Sequence, residues 1–169
     1  MLEVGAGTGA NLGRYPDGIE LVVTEPDAAM LARARRKAEQ LGVAVDLRQH
    51  RAYPLPFGDE SFDTVVFTLC LCTIPDQAEA LREAHRVLRP GGRLLFLEHV
   101  RSEDPGLATW QDRVAPAWRL VAGGCNCNRD TKRAISESGF TIDWVVERED
   151  KSVPIPILRP GLIGMATRA

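Results

Sequence analysis

Residues 3–9 read Glu-Val-Gly-Ala-Gly-Thr-Gly, with alternate glycines directly behind a short apolar run. Glycine at the end of a strand lets the backbone turn tightly and approach a ligand with its amide groups pointing at it. A carboxylate follows at Glu25, 20 residues after Gly5 and at the end of the next apolar run. An acid in that position can accept two hydrogen bonds from a ribose diol. Together these features describe a nucleoside site; the plainer alternatives are a tight turn before a helix and a surface acid. His99 closes the run Leu94-Leu95-Phe96-Leu97-Glu98, so its imidazole falls at a strand end and is the candidate proton acceptor. A structural histidine is the even alternative. His50 and His85 read as structural or exposed, the latter among Arg82, Arg86 and Arg89.

The four cysteines form two C-x-C pairs, Cys70/Cys72 and Cys125/Cys127. Alternation along a strand puts Cys70 and Cys72 on one face, where core packing is the leading role, with Cys72 near enough to the strand end to border a pocket. Structural zinc favours C-x2-4-C spacing, so a four-thiolate site is disfavoured and no metal is expected. Trp110 and Trp118, eight residues apart, could share one helical face as core anchors or as the apolar wall of a pocket.

The elements that must position these residues alternate. Met1 to Gly5 and Ile19 to Thr24 read as strands, the second apolar on both faces as inside a parallel sheet. Pro26 opens a helix with its stripe on Met30, Ala34, Ala38 and Leu41, and Gly42 ends it. Val43 to Arg48 and Phe62 to Leu71 are further strands. Asp76 caps a second helix whose stripe is Leu81, Ala84 and Leu88, stopped by Pro90-Gly91-Gly92. Arg93 to Glu98 is a fifth strand, Pro105 to Asn128 a helix and loop, Arg129 to Ser138 a helix, and Phe140 to Arg148 and Gly161 to Thr167 strands. The order implies an α/β, doubly wound, mostly parallel sheet that binds its ligand at the carboxyl ends of the strands.

With 169 residues, one domain over 1–169 is expected. Apolar residues make up 44% and charged residues 26%, which excludes disorder and a disulfide scaffold. The net charge of -2 gives no electrostatic case for nucleic acid. No run reaches the roughly 18 apolar residues of a spanning helix, no secretory signal is visible, and the thiols read as reduced, so a cytoplasmic protein without membrane insertion is expected.

The glycine loop alone fits two classes, dinucleotide-binding Rossmann domains (Gly5-Ala6-Gly7-Thr8-Gly9-Ala10 meets G-x-G-x-x-G/A) and class I methyltransferases. Three later segments break the tie: Pro54-Leu55-Pro56-Phe57, Ser61-Phe62-Asp63-Thr64-Val65-Val66, and Leu81 through Gly92. In order and separation they resemble the successive motifs of class I S-adenosylmethionine-dependent methyltransferases. Thr68-Leu69-Cys70-Leu71-Cys72, Glu98-His99-Val100, Trp110-Gln111, Pro116-Ala117-Trp118, and Gly124-Cys125 with Arg129-Asp130-Thr131 are similar to the methyltransferase-like 7 family, whose animal members methylate small thiols.

The resemblance implies a Rossmann-like, seven-stranded, mostly parallel sheet with an antiparallel strand near the C-terminus, S-adenosylmethionine as cofactor, and a small-molecule methyl acceptor. It implies that Glu3, Gly5, Ala6, Gly7, Thr8, Gly9 and Asn11 surround the methionine part of the cofactor. Glu25 and Pro26 would lie at the ribose, Ala52 and Tyr53 at the adenine, and Thr68 and Leu69 below the sulfonium. Arg51 stands where many relatives carry Asp. Cys72, His99, Trp110 and Trp118 would border the acceptor. Relative to that family the helices that usually precede the glycine loop are absent, which leaves a nucleoside-binding module without turnover as the alternative to an enzyme.

Overall fold

The computed structural model describes residues 1–169. In chain order the elements are β1 (Leu2–Val4), β2 (Val22–Thr24), α1 (Ala28–Leu41), β3 (Asp46–Arg48), β4 (Phe62–Thr68), α2 (Gln77–Val87), β5 (Leu88–His99), α3 (Pro105–Val121), α4 (Thr131–Glu137), β6 (Phe140–Glu149) and β7 (Pro160–Arg168). They form one seven-stranded sheet in the order β3-β2-β1-β4-β5-β7-β6. The first five strands run parallel, whereas β7 pairs antiparallel with both β5 and β6. The expected mixed sheet is what forms.

Strand order reverses on either side of β1, which pairs with β2 through Leu2↔Val22 and with β4 through Leu2↔Val65. A crevice therefore opens beyond the carboxyl ends of β1 and β4, where open α/β sheets bind ligands. Alternation sorts side chains onto the two faces. Leu2, Val4, Val65, Phe67, Leu94 and Phe96 pack with Ala80, Leu81 and Ala84 of α2 and Ile135 of α4. Leu21 and Val23 point the other way and pack with Ala38 of α1 and with Leu12.

The helices begin where short acids can take an orphan backbone amide. Asp27, Asp76, Asp104 and Asp130 each accept a hydrogen bond from the N–H three residues on, at Met30, Glu79, Leu107 and Arg133. Pro26 consequently stands just outside α1 rather than opening it, and its carbonyl accepts from the Gln49 side chain. The buried face of α1 is Leu31, Ala34 and Ala38, whereas Met30 and Leu41 are exposed. The apolar stripe thus starts one residue later than the sequence reading placed it. On α2 the buried face is Ala80, Leu81, Ala84 and Val87, while Leu88 already belongs to β5.

Four strands are shorter than expected, β1 and β2 keeping only Leu2–Val4 of Met1 to Gly5 and Val22–Thr24 of Ile19 to Thr24. Of Val43 to Arg48 only Asp46–Arg48 pairs, at the sheet edge. The strand expected to reach Leu71 stops at Thr68 because Leu69 adopts a left-handed φ of 53°. That turn undoes the shared face of Cys70 and Cys72. Cys70 Sγ donates to the Val4 carbonyl, while Cys72 Sγ lies 3.8 Å from Cys125 Sγ.

Candidate functional site

The crevice at the switch point is a cleft of about 690 Å³, walled by residues from the ends of β1, β2 and β4 and by Ala122 and Gly123 behind α3. Gly5, Gly7 and Gly9 all have positive φ, at 70°, 57° and 77°. A methyl group on Gly5 would sit 2.9 Å from Cys70 Cβ and one on Gly9 2.6 Å from Leu12 Cδ1, so both glycines are also demanded by packing. At Gly7 nothing lies within 4 Å of where a Cβ would be. The backbone there faces open cleft, the geometry for close approach by a ligand.

Glu25 lines the same cleft and is only 6% exposed. Its Oε2 accepts from the Gly7 N–H at 2.8 Å and its Oε1 from the Asp27 N–H at 3.0 Å, so one carboxylate braces the glycine loop against the start of α1. An ionised carboxylate offers about four acceptor sites, and two remain. Glu3, on β1, is buried; its Oε1 accepts from Asn11 Nδ2 at 2.8 Å and its Oε2 has no partner. Burial pushes the Glu3 carboxyl up, against the Asn11 hydrogen bond that draws it down. Asn11 also reaches Thr68 Oγ1 at 3.0 Å, tying the ends of β1 and β4 together.

Leu69 reaches the cleft from a conformation that costs an L-residue roughly 1–2 kcal/mol. Strain of this kind on a bulky residue gathers at ligand sites. Ala52 and Tyr53 form another part of the wall with Arg51, and the Tyr53 hydroxyl accepts from the Asp76 N–H. Gly5, Gly7, Glu25, Pro26, Ala52, Tyr53 and Leu69 therefore meet around one cavity. Glu3, Ala6, Thr8, Gly9, Asn11 and Thr68 support it from behind or beside, without lining it.

The four residues expected at the acceptor part company. Cys72 and Trp118 pack with Cys125, Cys127 and Ile157 in a small cluster beside the cleft, and His99 joins Cys72 and Cys125 there. None of the three lines the cavity. Trp110 is 49% exposed. Positions i and i+8 stand about 80° apart on a helix, within the width of one stripe, but Trp110 falls on its exposed side while Trp118 packs inward. The buried side of α3 is instead Ala108, Gln111 and Ala115.

Residues matched to the family model described as "Methyltransferase domain" span 2–96, more than half of the chain. The human thiol S-methyltransferase TMT1A is 33% identical over 177 aligned residues, covering 99% of this chain and 70% of that protein. The chain is a class I S-adenosylmethionine-dependent methyltransferase. It belongs with the thiol S-methyltransferase family, while the phosphatidylethanolamine N-methyltransferase of Cereibacter sphaeroides is 36% identical over a shorter stretch, 68% of this chain and 58% of that one. Among solved structures, geranyl diphosphate methyltransferase in complex with SAM superposes with a TM-score of 0.76 at 16% identity, over 99% of this chain and 77% of that one. The dinucleotide reading left open by the glycine loop is thereby set aside, and the cofactor of this methyltransferase is S-adenosylmethionine.

The residues fit that cofactor. The open approach at Gly7 admits it, Glu25 has spare acceptor capacity at the cleft wall, and the unpartnered Oε2 of Glu3 suits a cationic donor. The sequence reading missed the most buried acid of the methyltransferase, Glu98. Its Oε1 accepts from the N–H groups of Cys70 and Leu71 at 2.9 and 2.8 Å, and its Oε2 from Cys72 at 3.2 Å. Burial raises the Glu98 carboxyl to about 7, against those three donors. It pins the turn that carries Leu69 and Cys70 into the cleft. A lone acid at the end of Leu-Leu-Phe-Leu was the available signal.

Proposed function

We propose that this methyltransferase moves the methyl group of S-adenosylmethionine onto a small thiol. The observation that carries the reading is the 33% identity, over 99% of the chain, to a protein named for thiol S-methylation. The composition of the cleft supports it. Its titratable side chains are Glu25, Asp27, Arg51, Tyr53 and Cys70, and no histidine is among them. Glu25 and Asp27 already accept backbone N–H groups, and Cys70 donates to Val4. An alcohol or an amine needs a proton acceptor in contact, whereas a thiol ionises near pH 8.5 and reacts as the thiolate.

The bound cofactor supplies a methyl group on an already activated sulfonium. The chain supplies orientation, which is worth most when the reacting atoms are held in line. In this reading Glu25 takes the ribose hydroxyls beside Pro26. Gly5, Ala6, Gly7, Thr8, Gly9 and Asn11 surround the methionine portion, with Glu3 receiving its ammonium. Ala52 and Tyr53 face the adenine, and a backbone acceptor there replaces the side chain that Arg51 does not provide. Thr68 and Leu69 lie beneath the sulfonium, and the acceptor enters over Thr73, Ile74 and Ala122. Cys72, His99 and Trp118 back that wall; His99, the proton acceptor expected from the sequence, stands outside the cleft, and a thiol that ionises on its own does not call on it. Residues 1–169 act as one domain, and four free cysteines favour the reducing cytoplasm.

The test offers the purified chain S-adenosylmethionine with an alkyl thiol, and with the amine and alcohol of the same skeleton. The methyl thioether should form, faster as pH rises toward the thiol's own ionisation, with no methylation of the amine or alcohol. Methylation of the amine or alcohol in preference to the thiol would overturn the assignment. Tight S-adenosylhomocysteine binding without turnover on any of the three would favour a binding module.

A further inference from the structure

Three residues far apart in sequence, Cys72, His99 and Cys125, place one ligand atom each within 4.8 Å of the other two. They come from the turn after β4, the last residue of β5 and the loop after α3. Cys72 and Cys125 are buried, at 1% and 7% exposure. Two sulfurs each about 2.3 Å from a tetrahedral ion stand about 3.8 Å apart. Cys72 Sγ and Cys125 Sγ are 3.8 Å apart, far beyond the ~2.0 Å of a disulfide. His99 Nδ1 is buried with no hydrogen-bond partner, an orphan of the kind that coordination satisfies.

We propose that Cys72, Cys125 and His99 form a soft-cation site, suited to zinc, beside the methyl-transfer cleft. Borderline-soft Zn²⁺ takes thiolate and imidazole together, and two thiolates offset its charge in a buried place. Coordination releases the thiol protons to solvent and uses the neutral imidazole. Outer contacts hold the ligands. Glu98 Oε2 accepts from the Cys72 N–H, and the Cys72 carbonyl accepts from the Asn126 N–H at 2.8 Å and from its side-chain amide at 3.1 Å. The second of these links the two cysteine-bearing loops, and such supports fix ligand orientation in metal sites. One cysteine from each C-x-C pair is used, which is why spacing alone did not reveal the set. Cys70 is committed to the Val4 carbonyl, and Cys127 lies outside the three-residue group.

Three protein ligands leave one coordination position for water or a small exogenous donor, as open zinc sites do. Cleft-lining residues bracket the ligands in sequence: Thr73 follows Cys72, and Ala122 and Gly123 precede Cys125. The site therefore adjoins the wall over which an acceptor is proposed to enter, although its existence does not depend on what that acceptor is.

The experiment titrates Co²⁺ into the full 169-residue chain, stripped with a chelator and kept reduced with a phosphine under anaerobic conditions. The expected result is one equivalent bound, with a thiolate-to-cobalt charge-transfer band and the intense visible bands of tetrahedral cobalt, all bleached by Zn²⁺. Cys72→Ser and Cys125→Ser should each remove charge-transfer intensity and weaken binding by more than about 100-fold, beyond what loss of an outer contact costs. His99→Gln should do the same to affinity while leaving the charge-transfer band in place at saturation. Cys127→Ser should titrate like the parent. Circular dichroism shows whether each variant is folded, and the stoichiometry of the unsubstituted chain decides independently of any variant. Failure of the reduced parent to take up Co²⁺ or Zn²⁺, or parent-like binding by folded Cys125→Ser, would overturn the proposal. So would a Cys72–Cys125 disulfide formed in air by a chain that takes no metal when reduced, which would make the pair a redox couple. Metal uptake is read without turnover, so a wrong methyl acceptor leaves this result untouched.

Discussion

Replacing Glu25 with alanine separates a carboxylate that binds cofactor from one that merely shapes a loop. In the free chain it accepts from Gly7 N–H at 2.8 Å and Asp27 N–H at 3.0 Å. Hydrogen bonds to a charged group contribute about 1.5–3 kcal/mol each, but both donors lie beside an open cleft where water can replace the acceptor. The expected loss of stability is therefore about 1–2 kcal/mol, less than the sum of two such bonds. Two ribose hydroxyls on the same carboxylate add a further loss that appears only in the complex. Taking the lower end for one of them gives at least about 1.4 kcal/mol, a tenfold rise in Kd. Isothermal titration with S-adenosylhomocysteine measures the second quantity and urea denaturation of the free chain the first. Destabilisation with an unchanged Kd would refute the ribose assignment and leave Glu25 as a brace between Gly7 and α1.

Four further substitutions probe other parts of the molecule. Gly7→Ala meets no neighbour within 4 Å but holds a φ of 57°, so it should fold with a loss of about 1–2 kcal/mol and bind S-adenosylhomocysteine at least about tenfold more weakly. Gly9→Ala, whose methyl would fall 2.6 Å from Leu12 Cδ1, should lose more stability than Gly7→Ala in the same denaturation assay. Gln111→Ala removes an acceptor for the Ser102 N–H and a donor amide within 3.0 Å of the carbonyls of Val100, Cys127 and Ile157, and should cost about 2–4 kcal/mol by urea denaturation. Glu83 is held below the usual carboxylate range, first by the Arg86 hydrogen bonds and also by the Leu55 N–H. A depressed acid stabilises the fold above its unfolded-state pKa and ceases to do so as pH falls through the folded value. Glu83→Gln should therefore cost about 2 kcal/mol at pH 7 and progressively less as pH is lowered past the carboxylate range.

The parts of the fold that were legible in sequence are those decided by local chemistry. Asp76 and Gly42 mark helix ends because an orphan amide needs an acceptor and a left-handed residue needs no Cβ. That the glycine loop and Glu25 meet at one cleft was legible because close backbone approach at a strand end admits few residue types and the acid closes the neighbouring strand. What failed depends on a neighbour distant in sequence. The helix stripe was set one residue early because Met30 faces the cleft rather than the core. Cys70 and Cys72 were given one face because nothing in Phe62 to Cys72 signals that Leu69 turns left-handed. Glu98 stabilises that turn from another strand, through three amides 26 to 28 residues away. Trp110 is exposed for a different reason, since i, i+8 spacing permits a shared face without saying where the core lies, and here the buried side centres on Ala108, Gln111 and Ala115.

Three acids stand at or near the carboxyl ends of their strands: Glu3 on β1, Glu25 beyond β2 and Glu98 on β5. All three are buried, at 2%, 6% and 0% exposure, and none forms an ion pair with a basic side chain. Each is satisfied, in part or wholly, by neutral N–H donors: Asn11 for Glu3, Gly7 and Asp27 for Glu25, and Cys70, Leu71 and Cys72 for Glu98. Neutral donors do not cancel a carboxylate's charge, but burial raises Glu3 and lifts Glu98 to about 7, so the negative field at the strand ends strengthens as pH rises through that value. A sulfonium with an ammonium is attracted to such a field, and the neutral thioether left after methyl transfer less so. The acids that hold the loops in shape are therefore expected to favour the charged cofactor over its spent form, more strongly above pH 7 than below it, a difference that titration of both ligands across that range would measure. A buried cation paired to each acid would have kept the loops as firmly and removed that bias.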